Sequence, residues 1–140
     1  MMSGALSPPM RASLMAHSMR KNQTRFARAL GFTSYIGHLP PGVEQFTTVL
    51  KDRAHYRFLR PCSHIEAKSP EHAVWFASEP DALRCKTCST FDLYDRYRQP
   101  DQLVCDQCRR RDTAIQVGVS LTGCVYLVTA LCPACLEGPA

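Results

Sequence analysis

Seven of the eight cysteines, together with one histidine, fall into closely spaced pairs: Cys62/His64, Cys85/Cys88, Cys105/Cys108 and Cys132/Cys135. Two intervening residues let both thiolates of a Cys-x-x-Cys pair turn toward one ion, from a tight turn whose backbone amides face the sulfurs. Zn²⁺ takes four N or S ligands in a tetrahedron at roughly 2.0–2.3 Å. Four pairs therefore make two complete sites. Three Cys-x-x-Cys pairs and a Cys-x-His within 140 residues point to zinc rather than disulfides. Two Zn²⁺ per chain are expected as cofactors.

The spacing favours sequential sharing, with Cys62, His64, Cys85 and Cys88 on one ion and Cys105, Cys108, Cys132 and Cys135 on the other. A nested arrangement, closing Cys85/Cys88 with Cys105/Cys108, and a cross-brace that alternates the pairs are the alternatives. His64 is the candidate fourth ligand of the first site, with His72 as runner-up and His55 behind it. His17 and His38 have no cysteine near them in sequence. Cys124 is left over and reads as a small buried apolar residue of a strand.

The chain must fold so as to bring these pairs together. Residues 113–119 and 124–131 are rich in β-branched and aromatic residues and read as strands, joined by a turn at Ser120–Gly123. Between Cys105/Cys108 and Cys132/Cys135, this hairpin closes the last site. Residues 45–50 and 55–60 read as a second hairpin, with Tyr56 and Phe58 on one face. Ser69-Pro70-Glu71 reads as the start of a short helix carrying Ala73, Val74, Phe76 and Ala77, with Trp75 in the core. Residues 22–31 read as a short helix capped by Asn22 and stopped by Gly31, and Gly37–Gly42 as a linker. Residues 89–104 read as a short helix or a connector.

Residues 105–135 resemble a zinc ribbon: Cys-Asp-Gln-Cys, a β-hairpin, then Cys-Pro-Ala-Cys. That resemblance implies a structural zinc site with four cysteine ligands. Residues 62–88 resemble a ribbon or treble-clef-like site less closely, because Cys-Ser-His has a one-residue gap. The fold class is a small zinc-stabilised α+β chain of β-hairpins with a short helix. The expected organisation is a basic tail (1–21), a short helix and linker (22–43), a first zinc module (44–101) and a C-terminal zinc ribbon (102–140).

Competing chemistries lack their residues. A thiol–disulfide enzyme at Cys132/Cys135 needs its first thiolate at a helix N-terminus, and too few residues follow Cys135 to suggest such a helix. A zinc hydrolase or deaminase needs an open coordination position and a nearby base. No His-x-Glu adjoins the cysteine pairs, and there is no His-Glu-x-x-His. The chain reads as a non-enzymatic binding module.

The net charge is +5, and all of the excess lies before Glu44, on Arg11, Arg20, Lys21, Arg25 and Arg28. Such an arm suits nucleic acid or an acidic surface, as does Arg109-Arg110-Arg111 beside a zinc turn. The neutral balance of residues 44–140 suits a protein partner instead. A nucleic acid or a protein is the expected partner; neither a membrane nor a small-molecule substrate is. Arg11, His17, Arg20 and Lys21 interrupt any apolar leader, so the expected location is the cytoplasm. The acid-free, Ser- and Arg-containing N-terminus makes the mitochondrial matrix the alternative. Met2, Met10, Met15 and Met19 offer further start positions.

Overall fold

The computed structural model describes residues 20–65, 73–85, 87–89, 97, 103–112, 114–123 and 125–138. The first helix, α1, covers residues 20–30 and ends at Gly31. Asn22 lies inside this helix and does not cap it. Phe26 and Ala27 are buried, and Leu30 packs beside them, as their spacing predicts. Strand β1 (Thr33–Ser34) follows.

Helix α2 then runs Pro41–His55, where a linker and a hairpin were expected. Two β-branched threonines and a valine suggest a strand at 45–50. The deciding pattern is apolar, because Val43, Phe46 and Leu50 recur on one helical face and all three are buried. Pro41 suits the first turn, Glu44 the positive end of the dipole, and Arg53 and His55 the negative end. What remains of the expected second strand is β2, Arg60–Pro61.

Strand β3 spans Ala73–Phe76 and β4 spans Ala82–Cys85. A helix was expected over the first of these. Residues 66–72, including the expected cap Ser69 and the alternative ligand His72, lie outside the described residues. All four residues of β3 are buried. Burial on both faces of a sheet makes a short continuous apolar run and hides the alternation that marks a strand. Trp75 is fully buried, as expected, and donates from Nε1 to the Pro80 carbonyl at 2.9 Å, pinning the β3–β4 turn.

The clearest sequence strands are observed as β5 (Gln116–Thr122) and β6 (Val125–Leu131). They pair antiparallel from Gln116↔Leu131 to Thr122↔Val125, so the turn tightens to two residues. Gly123 has φ +60°, a conformation that two-residue hairpin turns require and glycine adopts freely. Cys124 lies outside the described residues.

All six strands form one mixed sheet in the order β1-β5-β6-β3-β4-β2. The β3–β4 hairpin joins the β5–β6 hairpin through the parallel pair β3/β6, in register from Ala73↔Val125 to Phe76↔Val128. One face packs α1: Phe26, Val74, Phe76, Val119, Tyr126 and Val128 cluster there, and Tyr97 stacks on Phe76 at 5.5 Å. The other face packs α2: Val43, Phe46, Leu50, Trp75, Leu127 and Leu131 form the second cluster. Burying each of the larger side chains contributes roughly 1.5–3 kcal/mol. The architecture is thus a small mixed α/β sandwich. Among the described residues no helix is long and apolar enough to cross a membrane.

Candidate metal centres

The ligand atoms of Cys62, His64, Cys85 and Cys88 lie within 4.8 Å of one another, and so do those of Cys105, Cys108, Cys132 and Cys135. The grouping is sequential, neither nested nor crossed. Both sets are free thiols rather than disulfides. His55, the third candidate for the first site, instead ends α2 with its ring edge-on to Tyr56 at 4.8 Å.

The first cluster sits at one end of the sheet. Cys62 follows β2 directly, and its backbone N–H donates to the Leu83 carbonyl of β4 at 2.9 Å. Cys85 ends β4. The parallel pairing of β2 and β4 therefore sets two ligands side by side. Residues 87–89 are helical and bring Cys88 back toward Cys85, with the Cys88 N–H 3.4 Å from the Cys85 sulfur. His64 places Nδ1 3.1 Å from the Cys88 sulfur.

The second cluster sits at the opposite end. Ala73, opposite Cys85, also pairs with Val125 at the start of β6, whereas Cys132 follows the last residue of β6. The length of β6 separates the two, roughly 20 Å at the strand rise. The Gln116↔Leu131 pair draws together the segments carrying the two cysteine turns. The Cys108 and Cys132 sulfurs stand 3.9 Å apart, close to the ~3.8 Å edge of a tetrahedron with 2.3 Å zinc–sulfur bonds.

Asp106 holds the first of these turns on the sheet. Its backbone N–H donates to the Ala130 carbonyl at 2.8 Å, and its carboxylate accepts from the Ala130 N–H at 2.7 Å. An isolated bridge between Val104 and Arg111 closes the loop behind it. The second turn is held by α2. A Cβ at Gly42 would stand 2.0 Å from the Cys135 carbonyl oxygen, so only glycine allows this approach. Neither Asp106 nor Gly42 was singled out from sequence. An acid between two cysteines reads as solvated there, and Gly42 becomes meaningful only once Val43, Phe46 and Leu50 are seen as a helix face.

Burial opposes the thiolate at Cys62, yet the N–H groups of Cys85 and His64 outweigh it and bring that thiol down to about 6. Burial likewise opposes the thiolate at Cys105, and the N–H groups of Cys108, Cys132 and Gln107 bring it down to about 7. The hydrogen bond that the Cys88 thiol gives to the Cys85 sulfur, then burial and the charge of Cys62, push Cys88 up to about 11. Burial, then hydrogen bonds with Cys132, Cys105 and Cys108, push Cys135 up to about 12. Burial also raises Asp106 to about 7, against the Ala130 N–H and Arg109. Each cluster thus carries one thiol ready to ionise and one that crowding keeps protonated. A divalent cation relieves that crowding, so the donor sets fit Zn²⁺.

A one-turn helix, α3 (Pro133–Leu136), does follow Cys132, contrary to the expectation of none. A single turn supplies little dipole, and Cys132 is only 8% exposed. An attacking thiol must be accessible, and Cys132 is not. The basic candidates Arg20, Lys21, Arg25 and Arg28 on α1, and Arg109, Arg110 and Arg111 after the cysteine turn, are all exposed. No catalytic constellation is found among the described residues. Comparisons with protein-family models, curated proteins and solved structures found no match.

Proposed function

We propose that this chain is a non-catalytic binding module in which two structural Zn²⁺ ions pin the opposite ends of one sheet and present its surface to a macromolecular partner. Two complete four-ligand sets, formed by one fold among the described residues, carry this reading. A catalytic zinc keeps a position open; these sets fill theirs. The second set resembles the zinc ribbon in having a hairpin between its cysteine pairs. The protons on Cys88 and Cys135 must leave when the metal enters. Zinc uptake at pH 7 therefore releases at least one proton per site, and affinity falls at least tenfold for each pH unit lost. Calorimetry of zinc uptake in two buffers of different ionisation enthalpy measures this. Uptake without proton release would show that the thiols are not the ligands.

A further inference from the structure

The end of α2 breaks a rule of helix termination. The Phe58 N–H donates to the Arg53 carbonyl at 2.9 Å and the Arg57 N–H to the Ala54 carbonyl at 3.2 Å. This is the Schellman pattern, whose left-handed position normally holds glycine and whose next residue normally packs back on the helix. Here Arg57 takes the left-handed position, at φ 60°. Phe58 is 62% exposed and its neighbour Tyr56 is 63% exposed. The two rings stand 6.3 Å apart, with His55 edge-on behind Tyr56. The left-handed position thus carries an arginine flanked in sequence by two exposed aromatic residues.

The segment is fixed at both ends. α2 leads into it, and β2 carries it to Cys62 of the first metal cluster. Lys51, Arg53, Arg57 and Arg60 lie along it, against Asp52 and Asp81. Asp81 pairs with Arg53. Among the described residues Lys51, Arg57 and Arg60 make no ion pair.

Rings that any base can stack on, interleaved with cations free to meet phosphates, are the chemistry of single-stranded nucleic-acid recognition. A duplex keeps its bases stacked on each other and offers such rings nothing. We infer that Tyr56 and Phe58 form a stacking platform for a single-stranded nucleic acid, with Arg57 and Arg60 on its phosphates. This rests on the reading of the chain as a zinc-pinned binding module, and it names the partner and the surface.

The test uses the full zinc-loaded chain and fluorescein-labelled oligo-U, oligo-dT and a duplex, followed by anisotropy over a salt series. Single strands bind and the duplex binds more weakly; the oligo-U and oligo-dT arms tell RNA from DNA. Tyr56→Ala and Phe58→Ala each weaken binding by about 5- to 100-fold. Arg57→Gly lowers the salt slope by about 0.7, one phosphate contact, while its Tm stays level or rises because glycine suits the left-handed position. Zinc content, measured on every variant, stays unchanged and keeps the module reading separate from this inference. The inference is overturned if zinc is intact and wild type binds neither single strand at 50 mM salt. It is equally overturned if Arg109–Arg111 substitutions abolish binding while Phe58→Ala does not. Loss of a self-associated state in Phe58→Ala, without a change in anisotropy, would assign the rings to a second copy of the chain and overturn it too.

Discussion

The two metal clusters have the same number of ligands and differ in what holds them. At Cys105, Cys108, Cys132 and Cys135, two ligands are buried in the core with Val43, Leu127 and Leu131. A hairpin of two seven-residue strands, the Asp106 clasp and the close approach of Gly42 all converge there. At Cys62, His64, Cys85 and Cys88 the support is a two-residue edge strand and the end of the four-residue β4, and His64 is exposed. The same coordination chemistry thus sits once inside the hydrophobic core and once at its margin. A metal held in the first would be tied to the packing of the whole chain; one held in the second would order mainly its own edge.

The largest difference is expected from removing ligands. Cys105→Ser or Cys132→Ser takes away a site worth on the order of 10 kcal/mol, comparable with the entire stability of a small domain. Far-UV circular dichroism should show both variants unfolded. Cys62→Ser should release one zinc and leave the β5–β6 hairpin folded, with the other ion still bound. Equal collapse in all three would erase the distinction between the sites.

Gly42→Ala sharpens it further. Alanine in an exposed helix position ordinarily stabilises by about 1 kcal/mol. Here the new methyl meets the Cys135 carbonyl oxygen, and overpacking should instead cost about 1–3 kcal/mol in a denaturant melt. Asp106→Ala leaves the Ala130 N–H without its partner and should cost about 1–3 kcal/mol. Asp106→Asn keeps an acceptor there and should cost less than about 1 kcal/mol. A gain in place of a loss is expected at Arg109, which stands at φ 63° after the cysteine turn. Arg109→Gly should gain about 1 kcal/mol by relieving the left-handed strain. A loss there would mean that the Arg109 guanidinium supports the turn.

The second cluster was legible in the sequence because its ligands and the hairpin between them are local to residues 105–135. Strand composition, a glycine turn and two cysteine pairs lie in one stretch; the structure moves the first strand to Gln116–Thr122, shortens the turn and adds α3. Trp75 in the core and the apolar face of α1 at Phe26 and Ala27 were legible too, because bulk and helical spacing decide them. The setting of the first cluster was not. Its ligands are brought together by β2 and β4, parallel strands whose pairing leaves no mark in residue spacing. Thr47, Thr48 and Val49 have strand propensity, but the buried face formed by Val43, Phe46 and Leu50 overrides it. Ala73–Phe76 lost its alternation because both faces of the sheet are covered, by α1 on one side and α2 on the other.

Zinc counting on the purified native chain, followed through a chelator titration with circular dichroism recorded at each step, tests the central claim most directly. The account predicts two Zn²⁺ per chain, the ion of the His64 site leaving first with little loss of structure, and unfolding when the second leaves. A chain that holds no zinc, or that keeps its full fold after both ions are gone, would contradict it.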